Sequence, residues 1–225
     1  MTHDLLRIIP SEIPRPSKRG KSFFAKGDFL YFHYCCDNYN DVGWGCAYRT
    51  LQSMCSWIAK NRNSMDVDSD HQIIGTNDIP SIEEIQQTLV NINDKPPEFL
   101  NSTDWLGALE IFYVIDTIYD ISCRIQHIPS CHDIRKYSNI IKFYFENFGG
   151  LIMMGGDLDG SSKCIAGIHV VDNDAYLLVV DPHFVGVPKS VDDLISQGYI
   201  RWQHTSDFVD SSFYNLCLPQ LKFLE

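Results

Sequence analysis

Hydrophobic positions recur at three- and four-residue spacing from Cys46 to about Lys60, through Ala47, Leu51, Met54, Cys55 and Ile58, and the pattern predicts an amphipathic helix that begins at Cys46. The aromatic-rich "DFLYFHY" (28–34) ahead of it predicts a strand. Between them, "CCDNYNDVG" (35–43) is dense in Asn, Asp and Gly and predicts a loop. Residues 1–27 carry three prolines and the basic patch "KRGK", and are expected to form an extended leader.

Further along, 61–78 is polar and without period, which predicts a surface loop. "SIEEIQQTLVNI" opens with a Ser81-to-Glu84 capping box and predicts a helix. Asp104 is placed to cap another, from Trp105 to about Tyr119, with Leu106, Leu109, Tyr113 and Ile118 facing inward. "SCRIQHI" (122–128) predicts a strand, and a helix from Ile134 to Phe148 is expected to stop at Gly149-Gly150. The apolar runs "LIMMGG", "CIAGIHVV" and "AYLLVVDPHF" then predict strands, the last with "AYLLVV" as a central strand covered on both faces. A short helix, Val191 to Gln197, precedes "GYIRWQ". Helices come first and a sheet follows, so the expected class is α+β, with residues 28–225 as one domain behind the leader.

Composition narrows the function. The chain has 225 residues and a formal net charge of −11, which disfavours nucleic acid as a partner. No run approaches the roughly 18 apolar residues of a membrane span, and the amino terminus lacks a signal-peptide core. The eight cysteines therefore read as reduced, mostly buried thiols of a cytoplasmic protein. None shows a C-x-x-C spacing, so neither metal nor cofactor is expected. The chain is expected to act as a monomer.

Cys46 follows Gly43-Trp44-Gly45 at a helix start, where free backbone N–H groups and the positive end of the helix dipole stabilise a thiolate. A buried structural cysteine after a turn is the plainer alternative. A nucleophilic thiol needs a base. Of the eight histidines, His3 lies in the leader, His71 and His132 in polar segments, and His204 before a polar turn. His33, His127 and His169 lie in apolar strands and read as core histidines. His183 differs, because "VVDPHF" puts Asp181 two residues before it, on the same side of a continuing strand. Cys46, His183 and Asp181 form the constellation that activates a thiol for acyl transfer. The Cys46 N–H and the Tyr34 hydroxyl are candidate oxyanion donors, with simple packing as the alternative for Tyr34.

"HYCCDNYNDVGWGCAYRTLQSMCSWI" (33–58) resembles the nucleophile segment of the ubiquitin-fold modifier-specific cysteine proteases. "DWLGALEIFYVIDTIYDISCRIQHI" (104–128) is similar to the family's W-[IL]-G-x-x-E helix and S-C-[KR]-I strand, and "LLVVDPHFVG" (177–186) to its D-P-H-[YF] box. G-W-G-C and D-P-H occur also in autophagy-type proteases, while Y-R-T-L-Q and W-L-G-x-x-E favour the former family. Two stretches depart from its pattern, "SSKCIAGIHVV" and the closing "GYIRWQ", which lacks the usual W-C-G-W. The resemblance implies a papain-like fold with Cys46 as nucleophile, His183 as general base and acid, Asp181 as its orienting carboxylate and Tyr34 as oxyanion donor. It places Trp105 near the substrate channel, with a place in the core as the alternative. It implies a ubiquitin-fold modifier as partner, trimmed to its C-terminal glycine and removed from target lysines, and it matches the family's short form. A catalytically inert modifier-binding module is the rival reading. Gly43 and Gly45 are expected to let the chain turn tightly enough to present Cys46, and also to leave a narrow approach suited to a substrate ending in glycine.

Overall fold

The structure, a computed structural model, describes residues 5–62, 79–172, 174–209 and 211–222. In chain order the elements are β1 (Arg7–Ile8), β2 (Lys21–Phe24), β3 (Phe29–Leu30), α1 (Cys46–Arg62), α2 (Ile82–Asn91), α3 (Ala108–Tyr119) and β4 (Cys123–Ile128). They continue as α4 (Ser138–Asn147), β5 (Ile152–Gly156), β6 (Ser162–Val171), β7 (Asp174–Val180), α5 (Val191–Ser196), β8 (Ile200–His204) and β9 (Tyr214–Pro219). This is an α+β arrangement, with a seven-stranded sheet in the order β4-β9-β5-β6-β7-β8 and β2 joined to β6.

β6 is the strand on which the sheet turns. One of its edges pairs along its length with β7, while the other is shared, with β5 on Ser162–Ile165 and β2 on Gly167–Val170. A bulge between Ile165 and Gly167 marks the change of partner. All these pairings are antiparallel. "AYLLVV" is as buried as expected, but it lies one strand in from the β8 edge, and β6 holds the centre. Residues 5–24 do not form a detached leader. Ile8, Ile13 and Phe23 are buried, β2 is a sheet strand, and the Trp202 indole donates to the Pro14 carbonyl at 2.8 Å.

Local signals held where the determinants were local. α2 has the capping box of Ser81 and Glu84, and the turn after α4 puts Gly149 at φ +74°. The α4 segment opens as a 3-10 turn over Cys131–Tyr137 before becoming α-helical at Ser138. "DFLYFHY" is a strand only at Phe29–Leu30, pairing with β1, and then runs on to a single parallel bridge between Tyr34 and Val185. α1 extends through Arg62, and the rest of the expected loop, 63–78, lies outside the described residues.

α3 corrects the expected cap and turns Leu109 outward, while Leu106 is buried and Tyr113 and Ile118 pack against the core as expected. It is capped by Gly107 rather than Asp104, because the Glu110 carboxylate accepts from the Gly107 N–H at 2.8 Å and from Lys95 Nζ at 2.6 Å. Ile111, Val114, Ile115 and Tyr119 face the core, and Leu109 is 53% exposed. Trp105 and Leu106 are left outside the helix, which frees Trp105 for the surface. Of the three expected core histidines, His33 and His169 are buried, the latter tied to β2 by Ser22 at 2.7 Å. His127 is exposed and bonds Asn215 at 2.8 Å.

β9 lies between β4 and β5, so the last strand in sequence holds the sheet's helix-rich end together. Leu216→Ala removes a fully buried side chain there. It should cost about 2–5 kcal/mol in urea unfolding, and a loss under about 1 kcal/mol would show that β9 is dispensable.

Candidate active site

The loop before Cys46 is shaped by a buried ion cluster. Arg49 sits one helical turn into α1 with no exposed side-chain surface. Its guanidinium is bidentate to Asp37 through Nη1 and Nη2, both at 2.8 Å. It also donates to Asp41 from Nε at 2.8 Å and Nη2 at 3.1 Å, and to Gln52 at 3.0 Å. Asp41 in turn accepts from the Cys35 N–H at 2.8 Å, and its backbone carbonyl accepts from the Gly45 N–H at 2.8 Å. The glycines follow from this. A Cβ on Gly45 would lie 2.1 Å from Asp41 Oδ2, and Gly43 adopts φ +89°. Neither glycine lines the cleft, so they make the turn rather than the narrow approach expected of them.

The D-P-H box docks onto residues 31–34. The Tyr31 hydroxyl donates to the Asp181 carbonyl, the Tyr34 N–H donates to the Pro182 carbonyl at 3.0 Å, and Tyr34 bridges Val185. β7 ends at Val180, so Asp181 and His183 do not share a continuing strand. They meet in a turn, where Asp181 Oδ1 accepts from the His183 backbone N–H at 3.1 Å and from its Nδ1 at 2.5 Å. With Nδ1 so engaged, Nε2 is left for the hydrogen bond between His183 and Cys46. The Tyr34 ring meets the His183 ring edge-on at 5.1 Å, and its hydroxyl hydrogen-bonds Cys46. All four residues singled out from the sequence, Cys46, His183, Asp181 and Tyr34, are brought together.

The charges fall in a consistent order. Burial opposes a thiolate at Cys46, yet the hydrogen bond to His183, the Ser162 backbone N–H at 3.5 Å, the imidazolium charge and the Tyr34 hydroxyl together lower its pKa below the usual thiol value. Burial likewise opposes imidazolium at His183, but Asp181 and Cys46 outweigh it and push its pKa up to about 9. Asp181 is held down to about 2, against its own burial, by His183 and Arg201. Burial and the neighbouring Cys46 raise the Tyr34 phenol, which stays a neutral donor. The arrangement favours a thiolate–imidazolium pair over the neutral thiol and imidazole.

Cys46 opens onto a cleft of about 210 Å³. One wall carries Trp105, Leu106 and Gly107, and the other Gly155, Gly156 and the turn 160–162. Trp105 is 59% exposed and leans over Gly160, where an added Cβ would lie 3.6 Å from its ring. That turn is pinned from behind, because Asp159 accepts from Lys163, from Ser161 at 2.6 Å and from Tyr214 at 2.9 Å. Among the described residues, no cluster of three or more His, Cys, Asp or Glu side chains is arranged to hold a metal ion.

The pattern of Peptidase family C78 matches residues 20–217. The chain belongs to that family. It is 44% identical to "Probable Ufm1-specific protease 1" of Drosophila melanogaster over 96% of this chain and 87% of that protein. It is 33% identical to "Ufm1-specific protease 1" of Mus musculus over 97% and 96% of the two chains. The structure also matches the "Crystal structure of UfSP from C.elegans" with a TM-score of 0.78 and 27% identity, covering 98% of this chain and 38% of that one. The papain-like α+β fold expected from the sequence is thus the fold of this C78 peptidase.

Several residues of the peptidase's site were not singled out from the sequence: Tyr31, Arg49, Ser162 and Arg201. Arg49 left a signal, a charged residue one turn after Cys46 in a helix that carries no other charge before Lys60. Ser162 acts through its backbone and Arg201 arrives from another strand, so neither carries a local mark.

Arg49→Met leaves Asp41, whose side chain has no exposed surface, without its cation. A destabilisation of about 3–5 kcal/mol is expected in denaturant melts, and a near-parental midpoint would remove the cluster from its structural role. Iodoacetamide should alkylate Cys46 ahead of Cys55 and Cys164, whose thiols burial pushes up, Cys55 to about 12. The Cys46 rate should rise through a pKa below 9.0, the usual thiol value, as the pH is raised from acid. Peptide mapping that finds Cys164 alkylated first would contradict the assignment.

Proposed function

We propose that this C78 peptidase trims the precursor of the ubiquitin-fold modifier Ufm1 to expose its C-terminal glycine and cleaves the modifier from the lysines of its conjugates. The relatives named as Ufm1-specific proteases, which match nearly the whole chain, support this substrate. The observation that carries it is Cys46 at a helix start, hydrogen-bonded to a His183 that Asp181 orients, facing a cleft walled by Gly107, Gly155, Gly156 and Gly160. A C-terminal glycine fits such a slot, whereas a branched side chain meets its walls.

The Cys46 thiolate attacks the glycine carbonyl carbon, and the carbonyl oxygen becomes an oxyanion held by the Cys46 N–H and the Tyr34 hydroxyl. His183 gives its proton to the leaving nitrogen, either the α-amine of the removed tail or the ε-amine of a target lysine. The thioester that remains is attacked by water, which His183 deprotonates, and the modifier leaves with a free carboxylate while Cys46 is restored. Asp181 keeps Nδ1 protonated and Nε2 facing the sulfur throughout. Trp105 lies over the slot and presses the substrate's last residues toward Cys46. All these groups come from one chain, which supports a monomer as the working unit. Free thiols buried at Cys55, Cys164 and Cys217, the last beside the free thiol of Cys123, support a reducing, cytoplasmic setting.

A Ufm1 probe carrying a glycine vinyl ester should label the parent on Cys46 and leave Cys46→Ser unlabelled. Labelling by probes of unrelated modifiers in preference to Ufm1 would refute the substrate. Cys46→Ser and His183→Ala should abolish turnover, while Asp181→Asn keeps a measurable remnant. Tyr34→Phe deletes a donor used chiefly in the transition state, so kcat should fall on the order of 10²–10³ with little change in KM. A Tyr34→Phe enzyme with parental kcat would return the ring to packing alone.

A further inference from the structure

Arg201 reaches the Asp181–His183 pair from β8. Its Nη1 donates to Asp181 Oδ2 at 3.1 Å and to the Gly198 carbonyl at 2.9 Å, and its Nη2 donates to Gln203 at 3.1 Å. Oδ1 of the same carboxylate is occupied by His183, through Nδ1 and the backbone N–H. The two oxygens therefore have separate partners. A carboxylate held through one oxygen can still swing about its Cβ–Cγ bond, and an anchor on the other fixes its plane and the direction in which Oδ1 faces.

The anchor is itself held. Arg201 pairs with Val179 in the β7–β8 register, and the Asp181 N–H donates to the Tyr199 carbonyl at 2.8 Å, so both ends of the ion pair are set by the same antiparallel ladder. The Arg201 guanidinium donates to neither His183 nor Cys46, so its link to them runs through Asp181.

We propose that Arg201 is a positioning residue for the peptidase reaction, fixing the Asp181 carboxylate so that Asp181 in turn fixes His183 against Cys46. The inference rests on the peptidase reading of the site. It places a fourth side chain behind the Cys–His–Asp set, acting on the reaction only through Asp181.

A double-mutant cycle tests it, with kcat and KM measured on the Ufm1 precursor for the parent, Arg201→Met, Asp181→Asn and the double variant, alongside thermal melts. Arg201→Met should lower kcat by about 10-fold, in line with loss of a charge-assisted hydrogen bond, and leave KM unchanged. In the Asp181→Asn background the same substitution should lower kcat no further, because the residue through which it acts is already altered. The acid limb of Cys46 alkylation should move to higher pH in Arg201→Met, a change that a purely structural role would not produce. Parental kcat in Arg201→Met, or an equal loss in both backgrounds, would overturn the inference. Should Arg201→Met melt below the assay temperature, Arg201→Gln enters the same cycle with the same two outcomes. A parent that fails to cleave the precursor would instead overturn the substrate reading.

Discussion

Arg49 carries a full positive charge where water cannot reach it, and the active site is arranged around its compensation. A guanidinium moved from water into a protein interior loses several kcal/mol of solvation, so every donor must find an acceptor. Asp37, Asp41 and Gln52 supply them. The cluster consequently dictates the course of residues 35–45. One carboxylate, Asp41, takes the Cys35 N–H just after Tyr34 and sits against Gly45 just before Cys46. Tyr34 and Cys46, at opposite ends of the loop, are registered against each other through one side chain.

The second half of the site comes from the sheet. Residues 31–34 form a seam on which the Asp181–Pro182–His183 turn rests, through the Tyr31 hydroxyl, the Tyr34 N–H and the Tyr34–Val185 bridge. The helix-borne thiol and the sheet-borne imidazole thus meet across a contact made mostly of backbone hydrogen bonds, which hold geometry better than side-chain packing alone. Electrostatics reinforce this. The chain as a whole is acidic, yet the surroundings of Cys46 are locally positive, with His183, the start of α1 and the Ser162 N–H all directed at the sulfur. Arg201 extends that positive side behind Asp181.

The cleft is formed where three separate stretches converge, and its narrowness has a specific origin in each. Glu110 caps α3 at Gly107 and so leaves Trp105 free to lean over the entrance. β5 presents Gly155 and Gly156 in a strand paired on both sides, so the wall cannot retreat. Asp159 holds the opposite turn through Lys163 and Tyr214.

Read alone, the sequence determined whatever depends on neighbours a few residues away. The capping box at Ser81, the start of α1 at Cys46, the glycine stop after α4 and the apolar strands are set by local hydrogen bonding and by side-chain period. The candidate site residues were legible too, because the motifs around Tyr34, Cys46 and Asp181–His183 are short and contiguous. The tertiary structure decided the rest. β2 and β9 are strands because β6, β4 and β5 offer them open edges, which no period within "KSFF" or "YNLCLP" announces. The face of α3 that turns inward followed its cap at Gly107, set by a Glu110 that Lys95 holds from a distant loop. Gly45 is required by the position of Asp41, and Arg201 meets Asp181 only because β7 and β8 pair in one register. Contacts between residues far apart in the chain depend on register and on burial of charge, and those exist only once the sheet has formed.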